Sequence, residues 1–129
     1  TVGFADGMVV KHPDCIFVAA GNTYGRGADS VYVGRAQLDS ATLDRYVYVN
    51  WDYDWTFTRE LACNGEWTDY VQKVSDKAAE LKQRVVIGPR AAINGAKLLA
   101  AGVQWTEAAE ACIWRPIGAE IASKIQASL

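Results

Sequence analysis

Apolar and polar positions divide the chain into two regions with different periods. In the first region two short runs are continuously apolar or rich in β-formers. Cys15-Ile16-Phe17-Val18-Ala19-Ala20 lies between Pro13-Asp14 and Gly21-Asn22, and Tyr46-Val47-Tyr48-Val49 follows a polar stretch. Unbroken runs of this length suit strands of a parallel sheet covered on both faces. The opening Val2 to Val10, with Gly3 and Asp6-Gly7, reads as an irregular or hairpin-like lead-in. Between the runs, Gly21, Gly25, Gly27 and Gly34 make a loop that is flexible or unusually turned, and Leu38 to Arg45 fits a short helix.

Beyond Asp52-Tyr53-Asp54 the period becomes helical. Trp67, Tyr70, Val71, Val74, Ala78, Leu81 and Val85 recur at spacings of three and four, which predicts a long amphipathic helix near Thr68 to Gln83. Pro89 can open the next helix, where Ala92, Ala96, Leu99 and Val103 form a stripe and Gly102 makes a natural stop. Gly95 inside that stripe costs about 1 kcal/mol of helix propensity relative to Ala. Thr106 can cap a short helix ended near Pro116, and Ile117, Ile121 and Ile125 line a last one. The expected fold class is therefore α/β: residues 1–54 as part of a sheet-bearing core and 55–129 as a small all-helical unit. Two strands cannot make a stable doubly wound sheet alone, so the pattern asks for further strands.

Composition narrows the function classes. Half of the 129 residues are hydrophobic, and five Trp and six Tyr against three Pro describe a globular chain. A net charge of -2 gives no sign of a nucleic-acid-binding surface, although it is compatible with a local basic patch. Cys15, Cys63 and Cys112 are odd in number and far apart, which argues for neither a disulfide framework nor a zinc motif, and favours a reducing, cytoplasmic setting. No apolar run is long enough to span a membrane. Thr at position 1 fits initiator removal and equally fits a fragment.

Several motifs in order resemble the AAA+ ATPases of the MoxR-like and dynein-related branch, which includes phage ATPases and the cobaltochelatase small subunit. Ala19-Ala20-Gly21-Asn22-Thr23 is similar to the end of that family's fourth core strand, where a polar sensor residue sits. Tyr24-Gly25-Arg26-Gly27-Ala28-Asp29 and Tyr32-Val33-Gly34-Arg35 continue the likeness. Leu43-Asp44-Arg45-Tyr46 resembles the Leu-Asp-Arg-Phe signature, with Tyr for Phe. Gly88-Pro89-Arg90-Ala91 opens a helix where the lid's second sensor arginine is expected. The departure is large: there is no Gly-Lys-Ser or Gly-Lys-Thr, and no Walker B strand.

The resemblance implies a partial P-loop core followed by a helical lid, within a parent that binds and hydrolyses ATP with Mg2+ and assembles as a ring acting on a protein substrate or adaptor. This chain alone would be inactive and would bind neither nucleotide nor metal. Asn22 would be the first sensor, although a turn Asn bonding its own backbone fits the same residue. Arg45 would be the arginine finger that neutralises charge on a neighbouring subunit's nucleotide, with Arg35 as its rival. A surface arginine paired with Asp44 or Asp39 is the plain alternative. Arg90 would touch phosphate as second sensor. A catalytically inactive interaction module, prone to a domain-swapped dimer through an open sheet edge, is the other reading. His12 reads as a surface or structural residue, Asp52, Asp54 and Glu60 as solvated or capping groups, and the Trp residues mostly as packing.

Overall fold

The computed structural model describes residues 2–5, 7–10, 12–21 and 36–129. Its architecture corrects the α/β expectation. The described residues hold one sheet, a two-stranded antiparallel ladder of β1 (Val2–Phe4) and β2 (Gly7–Val9), with Val2 opposite Val9 and Gly3 opposite Met8. Neither Cys15–Ala20 nor Tyr46–Val49 forms a strand. Both runs are open to solvent, with Val18 90% and Val47 94% exposed. The reason is physical: a strand needs a neighbour for its N–H and C=O groups, and apolar content alone supplies none.

The remainder is helical. α1 (Ser40–Leu43) is a single turn whose N-cap Asp39 accepts from Thr42 N and from the Thr42 hydroxyl, at 2.8 and 2.7 Å. α2 (Trp55–Ala62) starts where the Asp54 carboxylate accepts from Phe57 N at 2.8 Å. α3 (Gly65–Glu80) starts on Asn64, which accepts from Trp67 N at 3.1 Å. Both caps satisfy backbone donors that no helical carbonyl can reach. α3 therefore begins earlier than its apolar stripe suggests, because Asn64 sets the start.

α3 ends in a Schellman turn: Gln83 N donates to Ala78 O and Lys82 N to Ala79 O, both at 2.9 Å, with Lys82 at φ 52. α4 (Pro89–Ala100) has Pro at its first position and ends in the same motif, Val103 N to Leu98 O at 3.0 Å, with Gly102 at φ 87. The last segment is α5 (Trp105–Ala109), which starts after Gln104 with no side-chain cap and holds Thr106 inside its first turn, then a π-helical turn over Glu110–Trp114, α6 (Arg115–Ile117) and α7 (Ala119–Gln126). Pro116 accounts for the π turn. In an α-helix its ring would strike the carbonyl of Cys112 and its missing N–H would orphan that oxygen. A wider turn, closed by Arg115 N to Glu110 O, relieves both.

The core sits among α3, α4, the π turn and α7. Trp67, Val71, Val74, Ala78, Ala92, Ala96, Ile113 and Ile125 are buried. Trp67 occupies the centre, edge-on to Trp105 at 4.9 Å and tilted against Tyr70 at 5.8 Å, with its indole N–H donating to Ala91 O at 3.3 Å. Arg59 of α2 ion-pairs with Asp69 of α3 and lies over Gly65, where a Cβ would come within 2.7 Å of its guanidinium. Among the described residues no helix is long and apolar enough to cross a membrane.

Candidate functional site

The corner between α3 and α4 is built from four parts. After the Schellman turn the chain runs back along α3, and Ser75 Oγ donates to Ile87 O at 2.7 Å. Gly88 is buried and extended, at φ -146 and ψ -165. The Tyr53 ring lies on it, so that a Cβ at Gly88 would fall 2.8 Å from Tyr53 Cζ. Pro89 then fixes the entry to α4 and Arg90 follows in its first turn, exposed. Gly88 gives α4 no side-chain cap, and no acidic residue lies in the first turn. A cation at the positive end of a helix is electrostatically misplaced unless an anion joins it. Among the described residues Arg90 makes no ion pair and no side-chain hydrogen bond.

The other arginine is separate. Arg45 follows α1, its backbone N–H donating to Thr42 O at 3.2 Å, and its side chain is exposed. It does not pair with Asp39 or Asp44; the Asp39 carboxylate is engaged by Thr42 instead. That hydroxyl, and then the backbone N–H of Thr42, hold the Asp39 carboxyl below its ordinary range. No hydrogen bond or ion pair joins Arg45 to Arg90. Asn22 and Arg35 lie outside the described residues.

Comparison with known proteins leaves the family open. No protein-family model, no curated protein and no solved structure matches the chain.

Two surface depressions lie on the helical body. A shallow one of about 430 Å³ lies along α3, lined by Asp69, Gln72, Lys73, Asp76, Lys77 and Glu80; its charges are mixed, and Lys77 already pairs with Glu80 at 2.5 Å. A smaller cleft of about 180 Å³ lies beside the corner, between Tyr53, Ser75, Ala78 and the 83–87 segment. Among the described residues no group of three or more His, Cys, Asp or Glu could hold a metal ion. His12 Nδ1 accepts from Asp14 N at 3.2 Å on the surface, which makes it a turn residue. Asp54 is a helix cap. Trp67 and Trp114 are buried and Trp55 and Trp105 half-buried, while Trp51 is exposed.

Burial pushes the Cys112 thiol up, and burial also raises the Tyr70 phenol, partly offset by a hydrogen bond with Trp114. The Tyr53–Gly88 contact has no periodic signal in the sequence. The nearest hint is that Gly88 precedes a Pro that opens a helix, a place where many residues would serve and Gly is not required.

Proposed function

We propose that the helical body, residues 55–129, is the nucleotide-sensing lid of an AAA+ ATPase of the MoxR-like branch, with Arg90 as the residue that reports on phosphate. The observation that carries this reading is the placement of Arg90: exposed, unpaired among the described residues, and in the first turn of an α4 that has no side-chain cap. A guanidinium at the positive end of a helix suits phosphate oxygens, to which it donates charge-assisted hydrogen bonds. ATP is the substrate in this reading. The phosphate cradle, the magnesium ligand and the acidic residue that activates water come from the polypeptide carrying the Walker motifs.

In such an enzyme hydrolysis needs little covalent chemistry from the protein. Charge spreading onto the transferred phosphoryl oxygens is met by fixed cations. Arg90 meets it from the lid, and Arg45, unpaired on the N-terminal side, meets it from a neighbouring subunit. Loss of the γ-phosphate removes the ligand of Arg90 and lets the lid turn, which is the movement passed to a protein substrate.

The test is ATP hydrolysis by the product of the complete open reading frame. Arg45→Ala should lower kcat by about a thousandfold, and Arg90→Ala by at least about tenfold, with the fold intact by circular dichroism. A wild-type product that does not hydrolyse ATP overturns the proposal.

A second reading has its own observation. Ile16, Phe17, Val18, Val47, Val49 and Trp51 all stand exposed, more apolar surface than single scattered residues explain. An inactive module that docks to another polypeptide through these runs accounts for them without nucleotide. It predicts self-association or capture of an ATPase subunit that is unchanged by Arg90→Ala.

A further inference from the structure

We infer that Tyr53 is a releasable clasp that couples the segment before α2 to the corner carrying Arg90. The inference deepens the lid reading, since it concerns how Arg90 is aimed, but the contact itself stands without nucleotide.

Three observations support it. First, the ring is seated on Gly88 so closely that a Cβ there would lie 2.8, 2.9 and 3.0 Å from Tyr53 Cζ, Cε2 and the hydroxyl oxygen. Gly88 has an extended backbone that any residue adopts, so its lack of a side chain is needed for the ring and not for the turn. Second, the seat is firm from below. Ser75 Oγ holds Ile87 O at 2.7 Å, and Ala91 N donates to Gly88 O at 2.9 Å, so Gly88 is the joint between the 83–87 segment and α4. Third, the clasp itself is light. Tyr53 is 49% exposed, packs edge-on against Trp55 at 5.9 Å, and its hydroxyl makes no hydrogen bond among the described residues. One half-exposed ring on a glycine can leave without unmaking the core around Trp67.

The segment that Tyr53 anchors continues backward into Trp51, Val49 and Val47, all exposed. Tyr53 is the residue through which that stretch reaches the corner. Release of the ring removes the contact on Gly88 from above and leaves the Ser75–Ile87 and Ala91–Gly88 bonds as its restraints, which loosens the first turn of α4 and the direction of Arg90. Tyr53 is in these terms a positioning residue.

Amide hydrogen exchange on the full chain tests this without any ligand. Tyr53→Ala should raise exchange about tenfold at Phe57 and Thr58, whose amides bond to Asp54, and also at Ala91, whose amide donates to Gly88 O, leaving 67–78 unchanged. Gly88→Ala should do the same, because its methyl displaces the ring. Tyr53→Phe should leave both segments as in the wild type, since the hydroxyl has no partner. The double variant Tyr53→Ala/Gly88→Ala should exchange no faster than Tyr53→Ala alone, the non-additivity expected of one shared contact. Tyr53→Ala that loosens only its own segment overturns the coupling. So does a Gly88→Ala protein in which exchange at Phe57 and Thr58 is unchanged. Failure of ATP hydrolysis would leave these results standing, and failure here would leave the lid reading to its own test.

Discussion

Gly95 lies directly under the indole of Trp67: a Cβ at position 95 would fall 2.2 Å from Cζ2, 2.3 Å from Cε2 and 2.4 Å from Nε1. The glycine that weakens α4 on propensity alone is the one that lets α3 and α4 close around their largest buried side chain. Gly95→Ala should therefore destabilise the chain by about 2 kcal/mol or more in urea unfolding, because overpacking outweighs the roughly 1 kcal/mol gained in helix propensity. Trp67→Leu in the same chain should make Gly95→Ala far less harmful. A Gly95→Ala protein with a raised Tm would contradict the packing.

The two Schellman turns differ at one position. Gly102 adopts φ 87 without steric cost, whereas Lys82 holds φ 52 with a Cβ. Lys82→Gly should stabilise the chain by up to about 1 kcal/mol and Gly102→Ala should destabilise it by about the same, both read from thermal unfolding. Equal responses at the two sites would show that the left-handed turns are not what ends these helices.

Asp39 carries a pH dependence of known sign. Its folded carboxyl is held below the ordinary range by the Thr42 hydroxyl and then the Thr42 backbone N–H. The cap is thus fully present above the ordinary Asp value and fades as pH falls through the lowered one. The Thr42 amide shift in NMR should follow that single titration, and Asp39→Asn should flatten it. The helical body should not respond to Asp39→Asn, because α1 buries nothing.

Helical periodicity made most of the body legible. The stripe Trp67, Val71, Val74 and Ala78 is the buried face of α3, Ala92 and Ala96 that of α4, and Ile125 the inward residue of α7. Apolar runs without a period were less informative. Cys15–Ala20 and Tyr46–Val49 have the composition of strands, but strand formation is decided by a pairing partner that composition does not encode. Boundaries moved where a cap overrode the stripe, as at Asn64. Of the candidate site, the exposure of Arg90 follows from its place outside the α4 stripe. The seat of Tyr53 on Gly88 joins residues far apart in sequence and of no repeating pattern.

The most direct test of the nucleotide-sensing role is a titration of fluorescent ATP into the product of the complete open reading frame, with Arg90 intact and as Arg90→Ala. One lost guanidinium–phosphate contact should weaken binding by about tenfold to a hundredfold. Wild-type binding that is indifferent to Arg90→Ala, or no binding at all, would contradict it.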